Sequence, residues 1–267
     1  MVKFIQLVVG PAGTGKSTYC RTLQDHCKTL KRTMYIGNLD PAAEGINYDP
    51  LFDIKDLISL EDVMETLQYG PNGGLVYCME YLLRNLDWLQ DQLESCGDDE
   101  YILLDCPGQV ELYSHLPIMH NLVKQIEMWG FRMVSVYLLD ALFVLEPAKF
   151  ISGCMLSLSC MLQLGIPHIN VVTKCDLADK NEVLKVLESE SATWITEEMS
   201  KSTPLQYRKL TEGIGSIIDD YMMIGFVMLD INDEDSITAV LAHTDHAVQY
   251  GEDVEPTEPV DENFDAG

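Results

Sequence analysis

A short apolar run, Phe4-Ile-Gln-Leu-Val-Val9, opens directly onto Gly10-Pro11-Ala12-Gly13-Thr14-Gly15-Lys16-Ser17. The spacing is G-x-x-x-x-G-K-[ST], placed after a strand and before a helical stretch that reaches about Leu30. No other feature limits the fold so tightly. The glycines let the backbone curl until several N–H groups converge on one point, and phosphate oxygens satisfy them. The following helix aims the positive end of its dipole at the same anion. Lys16 brings a mobile charge for the β- and γ-phosphates, and the Ser17 hydroxyl can ligate Mg²⁺. Gly13, Thr14, Gly15 and Thr18 complete the cradle. A chance glycine-rich turn would not bring the strand and the helix with it. The segment therefore implies a site for a nucleoside triphosphate.

Downstream, strand-like and helix-like stretches alternate. Strands are expected at Phe4–Val9, Thr33–Asn38, Tyr101–Asp105, Met133–Asp140, His168–Thr173 and Phe226–Leu229. Several are continuous apolar runs, as in parallel strands covered on both faces. Helical patterns lie near 17–30, 61–68, 73–95, 114–128, 148–163, 180–199, 205–222 and 233–249. This order predicts an α/β P-loop NTPase fold: a doubly wound, mostly parallel sheet with helices on both faces. A chain of 267 residues suits a single domain over 1–250, with a polar helical insertion at about 179–211. Residues 251–267 hold seven acidic side chains, two prolines and no Lys or Arg, so this tail is expected to be disordered.

The net formal charge of −26 produces a field that repels nucleic acid and anionic lipid. It suits a basic protein partner or solubility alone. The start of the chain does not read as a signal peptide, and no apolar run approaches the ~20 residues of a membrane span. An intracellular location without membrane attachment is expected. The eight cysteines show no CxxC pair and read as reduced, mostly buried thiols.

Three further motifs sit at strand ends. Asp105-Cys-Pro-Gly108-Gln109 closes one apolar strand. An Asp there can hold Mg²⁺ or one of its waters, Gly108 lets a backbone N–H approach the γ-phosphate, and Gln109 can orient a water. Thr173-Lys174-Cys175-Asp176 closes another strand and resembles the N-K-x-D guanine clamp, with Thr for Asn. The Asp176 carboxylate can accept from two guanine donors at once, a discrimination of roughly 1–3 kcal/mol by analogy with base-edge readout. Asn38-Leu-Asp40-Pro41-Ala-Ala-Glu44 follows the second strand, and Asp40 there can ligate Mg²⁺ through water or polarise an attacking water. Whether Asp40 or Asp105 would touch the metal stays open at this level. A fourth segment, Gly70-Pro71-Asn72-Gly73-Gly74, reads locally as an exposed turn between two helices. The stripe Leu75, Met79, Leu82, Leu86 and Leu89 beyond it suits packing within the chain or against another helix.

Together these segments resemble the GPN-loop GTPases, named for that Gly-Pro-Asn tripeptide. The likeness spans GPAGTGKSTYC, NLDPAAE, YGPNGGLVYCMEY, DCPGQVELY, TKCD and QYGEDVE, nearly the whole chain. The resemblance implies a dimer whose Gly-Pro-Asn loop enters the partner's site, where Asn72 would stabilise phosphate or the transition state. It further implies a type-one paralogue as heterodimer partner, a homodimer being possible. In-line attack by water on the γ-phosphoryl needs positioning and charge neutralisation, which assigns Lys16 and Mg²⁺ to charge and Asp40 and Gln109 to the water beside Asn72 as the catalytic set; with no arginine in a finger position, slow GTP hydrolysis is expected. Its cellular implication is assembly and nuclear import of RNA polymerase II through polymerase subunits or assembly factors, from a cytoplasmic pool that shuttles to the nucleus. Other classes compete. A nucleotide kinase would want an arginine-rich lid, and the chain has five arginines, none clustered. An ATPase of the related dimeric class would carry a lysine near the motif's start, where Pro11 stands. A scaffold that holds nucleotide without turnover stays open.

Overall fold

Strand β1 (Lys3–Val9) is buried on both sides: Ile5, Leu7 and Val9 face one layer, Phe4, Gln6 and Val8 the other. Such a strand must lie in the middle of a sheet with helices above and below. The structure, a computed structural model, describes residues 3–97, 100–188, 205–221 and 225–251. After β1 come α1 (Lys16–Thr29), β2 (Met34–Asn38), the two-residue β3 (Phe52–Asp53), α2 (Leu60–Leu67), α3 (Pro71–Arg84) and α4 (Leu86–Glu94). Then follow β4 (Tyr101–Asp105), α5 (Glu111–Ser114), α6 (Ile118–Met128), β5 (Phe131–Asp140), α7 (Ala141–Val144) and α8 (Pro147–Leu164). The last are β6 (His168–Thr173), α9 (Lys180–Leu187), α10 (Arg208–Tyr221), β7 (Phe226–Met228) and α11 (Glu234–Val248).

The sheet order is β3-β2-β4-β1-β5-β6-β7, and every pairing is parallel. The doubly wound α/β fold read from the alternation is therefore the observed one. One layer packs α3, α4, α6 and α8 on Ile5, Leu7, Ile102, Leu104, Leu139 and Val172. The other packs α1 and α11 on Phe4, Val8, Ile36, Leu103, Val136 and Val171. Gln6 is the polar residue in that second layer. Its carboxamide accepts from Tyr19 Oη at 2.8 Å and donates to Tyr101 Oη at 3.0 Å and Thr244 Oγ1 at 2.9 Å. A buried amide so satisfied holds α1 and α11 in one register against β1.

Some boundaries differ from the sequence reading. The helix expected over 73–95 divides at Asn85, whose Nδ2 donates back to the Tyr81 carbonyl at 2.8 Å. That expected over 114–128 divides before Pro117, which caps α6. Strand β3 was not foreseen. Leu75, Met79, Leu82 and Leu89 are buried in the first layer with Leu86 packed beside them, so the stripe is used within the chain. Of the expected insertion, 189–204 lies outside the described residues, as does the acidic tail beyond Gly251. All eight cysteines are free thiols, and only Cys154 is not fully buried. Among the described residues no helix is long and apolar enough to cross a membrane.

His168, at the start of β6, is held between Ser157 Oγ at 3.1 Å and Asn170 Oδ1 at 3.3 Å. Burial disfavours its charged form and pushes its pKa down to about 4. The unfolded chain, with an ordinary value near 6.5, binds the proton first as pH falls. Stability is thus lost between about 6.5 and about 4, and the loss levels off below. Urea unfolding of wild type and His168→Gln at pH 7 and pH 4.5 should show the wild-type advantage shrinking by about 2–3 kcal/mol at the lower pH.

Candidate functional site

The loop after β1 is shaped by glycines in positions other residues cannot take. Gly10 has φ +142°, and a Cβ there would lie 2.7 Å from the Leu138 carbonyl oxygen. Gly13 and Gly15 have φ of 81° and 87°. Thr14 Oγ1 closes the loop on the Pro11 carbonyl at 2.8 Å. Gly15 caps α1 without any side-chain acceptor, so the first-turn N–H groups face the loop as donors. Lys16 is nearly buried, its ammonium donating to the Gly10 and Pro11 carbonyls at 3.3 and 3.4 Å.

Asp105 ends β4 between Val8 of β1 and Asn38 of β2. It is 1% exposed. Its Oδ2 accepts from Tyr48 Oη at 2.8 Å, while Oδ1 has no hydrogen-bond partner. Burial raises its pKa; Ser17, Tyr48 and Lys16 oppose the rise, and Asp40 adds to it. Burial likewise raises Asp40, against the Ala42 amide, Lys16 and Lys55. Asn38 fixes Asp40 by accepting from its N–H at 3.0 Å and donating to its carbonyl at 3.2 Å. Two desolvated carboxylates and the Ser17 hydroxyl thus share one environment with Lys16, and Lys55 adds a second cation beside Asp40. These are hard oxygen donors of the kind that Mg²⁺ prefers. Among the described residues no three His, Cys, Asp or Glu form a metal cluster. A cation that takes one or two carboxylates plus phosphate oxygens does not need one.

Gly108 packs face-on against this loop. A Cβ on it would lie 2.8 Å from Ala12 Cα and 3.0 Å from Lys16 Nζ. Next to it, Gln109 Nε2 donates to Asn72 Oδ1 at 2.9 Å. The Gly-Pro-Asn tripeptide corrects the expectation of a turn between helices. Gln68, with φ 56°, ends α2; Gly70 is the cap of α3, Pro71 its first residue and Asn72 part of its first turn. Proline suits that position because its missing N–H is one no helix uses. Asn72 is exposed, yet its carboxamide oxygen is engaged by Gln109 of the same chain.

On the other side of α1, Thr173 ends β6. Its hydroxyl reaches the Thr14 carbonyl at 2.7 Å and the Leu139 carbonyl at 3.3 Å. The replacement of Asn by Thr therefore still ties this motif to the phosphate-type loop. Lys174 takes φ 59°, and its ammonium pairs with Asp140 Oδ2 at 2.7 Å. A cavity of about 190 Å³ opens here, lined by Gly15, Thr18, Lys174, Asp176, Leu177 and Ile231 among others. Asp176 is exposed to it. The Cys175 thiol is not: it is buried and directed to the Val172 carbonyl at 3.3 Å, so Cys175, expected with Thr173, Lys174 and Asp176 in the GTP-binding motif, can face the cavity only through its backbone. The sequence reading missed Asp140, Tyr48, Leu177 and Ile231. Asp140 had a signal, since it ends an apolar strand just as Asp105 does. Tyr48 had none.

The family described as "Conserved hypothetical ATP binding protein" matches residues 8–250. Among curated relatives, GPN-loop GTPase 3 of Dictyostelium discoideum is 48% identical over 98% of this chain and 93% of its own length. GPN-loop GTPase 3 of Danio rerio is 48% identical over 100% and 97%, and that of Xenopus tropicalis 48% over 99% and 96%. The crystal structure of a GTPase in apo form from Pyrococcus abyssi superposes with a TM-score of 0.76 at 20% identity, covering 91% of this chain and 97% of that one, a likeness of fold.

The contact between Gly108 and the loop is testable. Gly108→Ala forces Ala12 and Lys16 to move, so affinity for a fluorescent nucleoside triphosphate should fall about tenfold or more. Overpacking should cost about 1–3 kcal/mol of stability in urea unfolding.

Proposed function

The chain belongs to the GPN-loop GTPase family, and on that premise we propose that it hydrolyses GTP slowly, as one half of a dimer, and serves as an assembly and nuclear-import factor for RNA polymerase II. GTPase is its enzymatic class: GTP and water give GDP and phosphate. The observation that carries the reading is the meeting, at one edge of the sheet, of the Gly10–Ser17 loop, Asp105 with Gly108 and Gln109, and a cavity bearing Asp176.

Each residue has a role in that reading. Lys16 leaves the Gly10 and Pro11 carbonyls for the phosphates, which offer full negative charge, and the open N–H groups at the start of α1 donate to the same oxygens. Gly13, Thr14, Gly15 and Thr18 wrap the same groups. Ser17 with Asp105, or Asp40 through water, holds Mg²⁺, and the unpartnered Asp105 Oδ1 is what makes these residues fit it. When bound, the cation neutralises charge on the phosphates. Gly108 offers a backbone N–H at the γ-phosphate, while Asp40 and Gln109 orient the attacking water. Thr173 braces the loop, and Asp176 reads guanine. Asn72 keeps two N–H donors for a phosphate oxygen, in the partner's site if the loop acts across the dimer. Leu67 and Tyr69 are exposed just before Gly70, apolar surface that a partner would cover. A neutral Asn stabilises developing charge less than an arginine finger, worth about 10³–10⁵-fold, so slow turnover is expected. The partner would be a type-one paralogue or a second copy. The polymerase role and a cytoplasmic pool shuttling to the nucleus rest on the family resemblance.

Two measurements test this. The matched family's description names ATP, whereas Asp176 calls for guanine. GTP should outcompete ATP, and Asp176→Asn should weaken GTP by about 1–3 kcal/mol while favouring xanthosine triphosphate, whose base offers an acceptor where guanine has a donor. Equal binding of ATP and GTP by wild type would overturn the base assignment. In single-turnover assays of the dimer, Asn72→Ala should slow hydrolysis by about a hundredfold at unchanged GTP affinity. Hydrolysis at the wild-type rate would remove Asn72 from the chemistry.

A further inference from the structure

The segment between β2 and β3 is pinned at both ends. Leu39 N–H donates to the Asp105 carbonyl at 2.8 Å, and Leu51 N–H donates to the Ile36 carbonyl at 2.7 Å. Between these pins the chain carries Asp40 and then Ala43, Glu44, Gly45, Ile46 and Asn47, which line a second cavity together with Ser17 and Asp40. The aromatic side chain of this loop turns inward. Tyr48 is 9% exposed and packs in the α1 layer of the core, with its hydroxyl 2.8 Å from Asp105 Oδ2. Asp105 has two oxygens in a desolvated site. Tyr48 takes one of them; the other, Oδ1, makes no hydrogen bond within 3.5 Å, with the Ser17 hydroxyl close enough to favour the charged carboxylate.

We propose that Tyr48 is a positioning residue of the cation site: its hydroxyl holds one oxygen of Asp105, presents the other to the metal, and so ties the 40–50 loop to metal occupancy. The physical reason is geometric. A carboxylate free to rotate about its Cβ–Cγ bond would spread its charge over many orientations. A buried O–H donor fixes the plane and sharpens the field at the remaining oxygen. The bond also couples two events. A cation that draws Asp105 towards it keeps the Tyr48 acceptor in place, and Tyr48 in turn anchors the loop that carries Asp40. Nothing in the 40–50 spacing announces this, since Tyr48 and Asp105 are 57 residues apart.

The inference rests on reading Asp105 as a Mg²⁺ ligand, and the test separates the two. Affinity for a fluorescent GDP analogue is titrated against Mg²⁺ for wild type, Tyr48→Phe and Asp105→Asn, with a chelator series as the metal-free baseline. Tyr48→Phe keeps the ring and its packing and removes only the O–H. It should leave the chelator affinity unchanged and raise the Mg²⁺ needed for half-maximal effect about tenfold, as loss of a partner behind a ligand does. In the Asp105→Asn background the same change should add nothing. Amide hydrogen exchange of residues 41–50 in nucleotide-free protein should quicken in Tyr48→Phe, a readout independent of metal. If wild type does not respond to Mg²⁺, the metal reading itself fails. If wild type responds and Tyr48→Phe follows the same curve, the positioning role is overturned while the metal reading stands. An equal loss of affinity with and without Mg²⁺ would show Tyr48 as packing only and would also overturn it.

Discussion

All paired strands run in one direction, and everything at the functional edge depends on that. In a parallel sheet each strand-to-helix turn leaves at the same side, so motifs far apart in the chain are delivered to one rim. The turns after β1, β2, β4 and β6 carry the Gly10–Ser17 loop, Asp40, the Asp105–Gln109 segment and the Thr173–Asp176 segment. Strand β1 is central, with β4 on one flank and β5 on the other, and the order of winding reverses there. The phosphate-type loop therefore opens into the crevice that such a reversal leaves, with the carboxylates on its β4 side and the base cavity on its β6 side.

That edge is built under tension between burial and charge. Asp40 and Asp105 both have their pKa raised by desolvation, with Lys16 as a shared opposing charge. Removing carboxylates from water is costly unless a charge compensates it. On the function proposed above, a divalent cation and a phosphate chain would supply that compensation. The same economy runs through the base side, where Lys174 meets Asp140 and Thr173 braces the Thr14 carbonyl. Asn72 and Gln109, by contrast, sit on the rim and hold each other. Their bond is neutral and single, as the proposed re-pairing with phosphate or water would require.

Much of this was legible before any coordinates. Residues whose meaning lies in local spacing were recognisable: the glycines and Lys16-Ser17 after an apolar strand, Asp105 with Gly108, and Lys174 with Asp176. Among the described residues six of the seven strands were located, several as nearly continuous apolar runs, because a strand covered on both faces carries few polar positions. The seventh, Phe52–Asp53, is too short to have a period. Helix breaks at Asn85 and before Pro117 escaped because apolar spacing carries across them. Asn72 was taken for part of a turn because Gly-Pro-Asn has turn chemistry, whereas Pro71 is equally suited to open a helix, and α2 ending at Gln68 decided between the two.

The sequence by itself thus determined the fold class, the nucleotide-binding loop and the family, since these rest on periodicity and on motifs a few residues long. Tertiary structure alone decided which groups meet. Thr173 and Thr14 are 159 residues apart, and their bond exists because β5 and β6 are laid down beside β1. Tyr48 reaches Asp105 because β3 closes the intervening loop against β2. Gly108 is required because Ala12 comes up against it. The Cys175 thiol turns to the core because of its place after β6. Distances of this kind follow from crossover order and from packing on both sheet faces, and no local pattern of residue types encodes either.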